Sequence, residues 1–282
     1  MKCSILVANY NNGRFFRDCY NSIVAQTWNN WEAVILDDCS TDKSVEIIKD
    51  IIKDDPRFRF FQHPKNEGVG VIKAKLIELA EGEICCYVDP DDAITPTALQ
   101  KHMKLLSEKK DVVLTYSKLI KCDEKLNPLS EFKSAMQVPN GDLTFFNCPV
   151  QIAPLVCFRK DIYLSTEKMN PKFRIAEDQD LYFKMYEKGK VKFIDATDYL
   201  YRGHAGGISQ NDNKQRSYAY FAECIYEAMK RRKLKSINGK PIPESFPGPD
   251  YIFQMLDYQN GLKFRIKKKI RILAQQVGLY GI

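Results

Sequence analysis

Nowhere in the 282 residues do about 18 apolar side chains run uninterrupted, so no membrane-spanning helix is expected. The nine cysteines include no C-x-x-C spacing, and Cys85 and Cys86 are adjacent on one apolar run where they cannot pair with each other. They read as reduced small hydrophobes of a cytosolic protein. The apolar start breaks at Asn9 and lacks a small-residue cleavage site, so no export segment is expected. Two phosphate cradles are missing as well. Neither G-x-G-x-x-G after the first strand nor G-x-x-x-x-G-K-[ST] occurs, which removes an ordinary dinucleotide fold and a P-loop. A net charge of +7 is modest but uneven, concentrated in Lys230-Arg231-Arg232-Lys233 and between Lys263 and Arg271. Anionic partners are expected there, lipid or nucleic acid. No aromatic-basic platform of the RNA-recognition type accompanies the charge, so nucleic acid is set aside.

What is present is organised around Gly82-Glu83-Ile84-Cys85-Cys86-Tyr87-Val88-Asp89-Pro90-Asp91-Asp92. The apolar run is too short for a helix and reads as a buried strand ending in three carboxylates. In open parallel sheets ligands sit outside such strand ends, and crowded carboxylates repel unless a cation joins them. A hard divalent ion, Mg²⁺ or Mn²⁺, is the natural counter-charge for them and for a diphosphate without a glycine cradle. A plain acidic turn, with Asp92 or Thr95 capping a helix from about Pro96, explains the same residues.

Along the chain, strands are expected at Ser4–Asn9, Trp31–Leu36 and Arg57–Gln62. Each precedes a helix: one with Phe15, Cys19, Ile23 and Val24 on a face, one through Ile47–Ile52 capped by Ser40, Thr41 or Asp42, and one over Val69–Glu81. Three strand-helix units in succession predict a parallel sheet with right-handed crossovers. A helix with Leu99, Met103 and Leu106 and a strand over Val112–Ile120 follow, then a hairpin or loop from Cys122 to Gly141 and a short apolar segment, Leu155–Phe158. Acidic Glu177, Asp178 and Asp180 open a helix, where macrodipole stabilisation of roughly 0.3–1 kcal/mol is the bland account of them. Val191–Ile194 and Tyr199–Arg202 read as two closing strands, and Gly203–Ser209 as a mobile glycine loop beside His204. Helical pattern from Asn213 marks a C-terminal appendage.

Ser4-Ile5-Leu6-Val7 with Tyr10-Asn11, Ser22-Ile23, Gln26-Thr27-Trp28, Asp37-Asp38-Cys39-Ser40-Thr41-Asp42, Asn66-Glu67-Gly68, Gly82-Glu83, Asp89-Pro90-Asp91-Asp92 and Glu177-Asp178 together resemble the family 2 glycosyltransferases of GT-A fold, over about residues 3 to 210. The resemblance implies a GT-A, Rossmann-like α/β fold with a doubly wound, mostly parallel sheet. It implies a catalytic domain over 1–212, with a nucleotide-sugar half to about 120 and an acceptor half to 212, and a basic helical appendage over 213–282. It implies inverting transfer from a nucleotide-sugar, a UDP-sugar first, to a glycan or lipid-linked acceptor, as in surface polysaccharide synthesis. Asp37 would then pair with the nucleobase, Asp89 and Asp91 would form the D-x-D motif with Asp91 the direct metal ligand, and Asp178 would be the base. Ala8, Tyr10, Asp38, Asn66, Gly68 and Arg202 join Asp37 and Asp89 as donor-binding candidates, with Arg202 a clamp on the diphosphate. His204 would complete the shell of Mn²⁺ or Mg²⁺. The chain departs from the family at Cys39, where glycine is usual and a positive φ would strain the present residue, and at Pro90, which stands for a small residue.

Two rivals remain at this stage. A sugar-phosphate nucleotidyltransferase would carry a glycine-rich loop after its first strand, and here Asn9–Gly13 holds one glycine. A non-catalytic carbohydrate-binding scaffold would not need Asp178. The tail Gly261–Leu273 either lies on an anionic membrane, making the protein peripheral on the inner face, or packs on the core with solvated lysines. Its apolar residues read as no single clean stripe.

Overall fold

Continuous apolar runs lay down the centre of the sheet, because strands covered on both faces need no polar alternation. The computed structural model describes residues 1–206 and 213–278. Its elements are β1 (Cys3–Asn9), α1 (Phe16–Val24), β2 (Trp31–Asp37), α2 (Ser44–Ile52), β3 (Phe58–Gln62), α3 (Val69–Leu79), β4 (Ile84–Tyr87), β5 (Ala93–Ile94), α4 (Ala98–Glu108), β6 (Val112–Cys122), β7 (Pro128–Glu131), β8 (Val156–Arg159), α5 (Lys160–Leu164), α6 (Glu177–Tyr186) and β9 (Lys190–Arg202). The C-terminal region adds α7 (Asn213–Arg231), a small hairpin of β10 (Ser236–Ile237) and β11 (Lys240–Pro241), α8 (Pro249–Leu256) and α9 (Leu262–Gln276).

The main sheet runs β3-β2-β1-β4-β8-β6-β9-β5, with β7 hairpinned onto β6. β3, β2, β1 and β4 are mutually parallel, as three strand-helix units require, and β9 returns parallel to β6. β8 enters antiparallel between β4 and β6. Side chains alternate between two cores. Cys3, Ile5 and Val7 of β1 face Phe16, Ile23, Ile48 and Met103 of α1, α2 and α4, whereas Leu6 faces Ile72, Leu76 and Met185 of α3 and α6. The expected α/β architecture with helices on both sheet faces is the one found.

Several local expectations needed correction. The two closing strands are one 13-residue strand, β9, whose register shifts against β6 absorb the polar middle. Val24 is exposed at 38% rather than packed. Neither Asp92 nor Thr95 caps α4: Asp92 accepts the Arg202 amide at 2.7 Å, and Thr95 donates its hydroxyl to Asp198 at 3.0 Å. Asp42 does serve α2, accepting the Ser44 amide at 2.9 Å. Gly207, Ile208 and Ser209 of the expected glycine loop lie outside the described residues. The C-terminal region does not hang free, since Ile225 and Met229 of α7 and Ile252 of α8 share a core with Phe146, Phe173 and Phe183.

Candidate active site

β1, β2 and β3 follow one another to one side of the sheet and β4 lies on the other side of β1, so the crevice beyond β1 and β4 is the topological switch point. Asn9, Asp37 and Asp89 to Asp92 all sit at that end. The first two strand ends are stitched together. Asp37 is fully buried and its carboxylate accepts from Asn9 Nδ2 at 2.6 Å, Ser40 Oγ at 2.5 Å and the Ser40 amide at 2.8 Å. Asn11 Oδ1 accepts the Thr41 amide at 2.9 Å, and Gly13 donates its amide to Ser44 Oγ at 2.8 Å. Asp37 therefore holds the turn that joins the ends of β1 and β2. The turn carries Cys39 at φ 60°, the left-handed backbone that the missing glycine would have taken without strain. Asp38 is buried too, and accepts the amides of Glu67 and Gly68 at 2.9 and 2.8 Å. Gly68, at φ 90°, precedes α3, while Tyr10 at 45% exposure, Asn66 and half-buried Ala8 line the open rim.

On the β4 side the three carboxylates differ. Asp92 is buried, and burial followed by the charges of Asp91 and Asp89 pushes it well above the usual carboxylate range. Burial first and then Asp89 also raise Asp91, against the pull of His204. Asp91 Oδ2 lies 2.7 Å from His204 Nε2. The other ring nitrogen, Nδ1, accepts the Gly206 amide at 3.2 Å, and Phe15 packs against the imidazole with ring centroids 4.7 Å apart. Arg202 is sealed behind this pair at 3% exposure. Its guanidinium donates to the Asp91 and Glu124 carbonyls and to Asp18 Oδ2, and lies over Phe15. With all three nitrogens engaged by the protein, Arg202 positions the Asp91 loop, and the expected diphosphate clamp is withdrawn.

Among the described residues no three His, Cys, Asp or Glu side chains converge into a preformed metal cage. What is present is part of the shell of a cation that completes it elsewhere: a like-charge-crowded Asp91 raised by burial and by Asp89, and half-exposed Asp89, while His204, whose Nδ1 accepts the Gly206 amide, turns its Nε2–H onto Asp91 and orients that carboxylate. Mg²⁺-type sites commonly take one or two protein carboxylates and fill the remainder with phosphate oxygens and water.

Pattern reading missed Lys73. This buried side chain of α3 donates to Glu177 Oε1 at 2.7 Å and lies 3.9 Å from Asp89 Oδ1. It thereby ties the β4 end to the start of α6. Burial opposes its charge, but Glu177, Asp89 and Asp178 outweigh burial and raise it. The signal was legible as a cation at a core-facing position, in line with Val69, Leu76 and Ala80 at helical spacing. Close approach of the two helices depends on Gly70, where a Cβ would come within 2.3 Å of the Phe173 carbonyl oxygen.

The three acids of α6 separate cleanly. Glu177 is paired with Lys73, and buried Asp180 with Lys184 at 2.7 Å while accepting the Asn170 amide. Among the described residues Asp178 has no ion pair; its oxygens accept from the Gln179 amide at 2.9 Å and from Gln179 Nε2 at 3.2 Å. Burial and then the Glu177 charge push it up to about 6. Gln179 is itself fixed, its Oε1 accepting from Asn147 Nδ2 at 2.8 Å, and Asn147 Oδ1 accepts the amides of Gln151 and Ile152. Macrodipole and capping explain an acid at a helix start, but not one held half-buried, unpaired and near neutral pKa.

The family model described as glycosyl transferase family 2 matches residues 4–165. YibD of Escherichia coli, an uncharacterized glycosyltransferase, is 38% identical over 107 residues, 38% of this chain and 31% of its own length. Chondroitin synthase of Pasteurella multocida is 23% identical over 97% of this chain and 28% of its own length. The chain thus spans under a third of the length of either. Two solved structures share the fold. TarS of S. aureus in complex with UDP-GlcNAc has a TM-score of 0.68 at 21% identity, covering 81% of this chain and 66% of that one. The mannosyltransferase PcManGT of Pyrobaculum calidifontis, with GDP-Man and Mn²⁺, has a TM-score of 0.60 at 13% identity over all of this chain and 76% of its own.

Proposed function

The chain belongs to glycosyl transferase family 2, and from that premise we propose that it moves a sugar from a nucleoside diphosphate to an acceptor hydroxyl, inverting the anomeric centre. The observation that carries this reading is the Lys73 bridge, which brings the acidic end of β4 and the start of α6 to one crevice and leaves Asp178 as the acid of α6 without an ion pair among the described residues.

Inverting displacement needs charge stabilisation on the leaving side and a proton acceptor on the attacking side. Asp178, held by Gln179 and raised to about 6, takes the acceptor hydroxyl's proton in its ionised form. Asp91, oriented by His204, and Asp89 beside it are the residues that would hold Mg²⁺ or Mn²⁺. Such an ion, when bound, supplies the positive charge that the leaving diphosphate requires. Arg202 fixes the Asp91 backbone, and Lys73 keeps Asp89 and Glu177 from repelling across the crevice. Ala8, Tyr10 and Asn66 offer the rim to the nucleobase and ribose, while Asp37 and Asp38 set the turns behind it. UDP-sugar is the first donor to test, because TarS is described with UDP-GlcNAc; GDP-Man, bound by PcManGT, is the second. Chondroitin synthase, aligned along nearly the whole chain, supports a growing glycan or a lipid-linked sugar as acceptor in polysaccharide synthesis.

A thermal-shift and calorimetric screen of UDP, GDP and dTDP with Mn²⁺ tests this, run on the wild type and on Asp91→Asn. One nucleotide should bind in a metal-dependent way, and Asp91→Asn should weaken it at least tenfold and nearly abolish transfer. Equal nucleotide affinity in both proteins, with and without Mn²⁺, would remove the metal assignment.

A further inference from the structure

Helix α9 is amphipathic in the reverse of the usual sense. It docks on the body through its polar side. Arg271 bonds the Gly141 carbonyl at 3.1 Å and pairs with Asp142 at 3.1 Å. Gln275 exchanges two hydrogen bonds with Asn140 at 2.8 and 3.0 Å, and Lys268 reaches Gln151 while lying over the Phe145 ring. The opposite side is apolar and uncovered. Leu262, Ile266, Ile270, Leu273 and Val277 follow i, i+4, i+8, i+11, i+15 and so form one stripe, and their exposures are 71, 50, 58, 53 and 69%. No residue of α9 is buried. The clean stripe that the sequence reading did not see is therefore there, and it faces away from the core.

We propose that this face of α9 is a docking surface for an anionic lipid bilayer. Exposed Lys263 and Lys267 border the stripe on one flank, exposed Arg265 and Lys269 on the other, and no carboxylate occurs between Leu262 and Gln276. Branched apolar side chains walled by cations match the boundary between acyl chains and anionic headgroups. A protein-binding face would deplete lysine and mix charge signs at its rim. The helix lies on the surface and does not cross it, since no helix among the described residues is long and apolar enough to span a membrane. The contact also has a direction. Lys268 holds Gln151, the Gln151 amide is held by Asn147, and Asn147 holds Gln179 beside Asp178, so the lipid-facing helix braces the loop on the acceptor side of the crevice. The lipid surface stands apart from the transferase reading. Only its consequence, presentation of a lipid-linked acceptor to Asp178, rests on that reading.

Co-sedimentation of the full chain with phosphatidylcholine vesicles, with and without phosphatidylglycerol, tests the surface. Binding should require phosphatidylglycerol and fade as salt shortens the screening length. Replacing Lys263, Lys267 and Lys269 by alanine should weaken binding by about fivefold per residue. The pair Ile266→Glu and Ile270→Glu should lower it at least about tenfold while leaving the melting temperature and nucleotide affinity unchanged, because neither side chain is packed. Wild-type protein that stays in the supernatant, or a glutamate variant that pellets like the wild type, overturns the proposal. A dimer in solution that the same two substitutions split would instead assign the stripe to a second copy of the chain and would equally overturn it.

Discussion

Lys73 and Asp178 illustrate what single residues reveal and hide. The resemblance singled out Asp178 in the sequence, but the physical ground for preferring it to Glu177 and Asp180 was not legible there, because each neighbour is paired with a lysine only in the fold. Arg202 shows the converse. Sequence gives an arginine beside a histidine, and only the structure reveals that its donors are consumed by Asp18, Asp91 and Glu124. At Cys39 the sequence left two alternatives, a strained positive φ or a rebuilt turn, and the structure has the first, φ 60°. The raised Asp178 makes a kinetic prediction. A general base must be ionised, so transfer at saturating donor should fall as pH drops through about 6, whereas an ordinary carboxylate would keep the rate level down to about 4. The same shift has a thermodynamic sign. A folded-state pKa above the unfolded one means that the native state binds the proton more tightly, so this residue's contribution to stability is lost as pH rises from about 4 to about 6. A pH–rate profile flat from pH 5 to 8 would contradict the assignment.

At the scale of elements, strands read more truly than their ends. β1, β2, β3 and β4 fall where the sequence predicts them; burial on both faces leaves little else for the runs of β1, β2 and β4 to do, while β3 is half-buried at the sheet edge. β9 was read as two strands because its polar centre breaks the run, and only pairing with β6 joins the pieces. Some motif residues turn out to organise the frame instead of the crevice. Gln26 spans from the Ser22 and Thr95 carbonyls to the Leu99 amide, and Ser4 joins Glu32 to the Gly82 amide below β1. The approach of α3 to α6 is the most exposed dependency. In Gly70→Ala the new methyl would meet the Phe173 carbonyl oxygen at 2.3 Å and Glu177 Cβ at 3.3 Å, so α3 must withdraw and carry Lys73 from Glu177. Urea unfolding should show a loss of about 1–3 kcal/mol, and turnover should fall even where the variant is fully folded. A change within about 0.5 kcal/mol would mean that the helices tolerate separation.

Across the whole molecule, three strand-helix units in succession were enough to indicate an α/β body with a parallel sheet, and the sheet order supplies the crevice at the ends of β1 and β4. The C-terminal region was legible as helical and basic, but its attachment was not. Packing of α7 and α8 against Phe146, Phe173 and Phe183 is non-local, and the outward stripe of α9 becomes meaningful only once its polar side is docked. The central claim is that the crevice divides labour, with the β4 end serving the donor and Asp178 serving the acceptor. Turnover and donor affinity measured on one preparation of Asp178→Asn test this division most directly. The substitution keeps size and one of the two oxygens that accept from Gln179 but removes the proton acceptor. Turnover should fall at least about a hundredfold with the donor dissociation constant within about twofold of wild type. Near wild-type turnover in the folded variant would contradict the account, as would a loss carried entirely by donor binding.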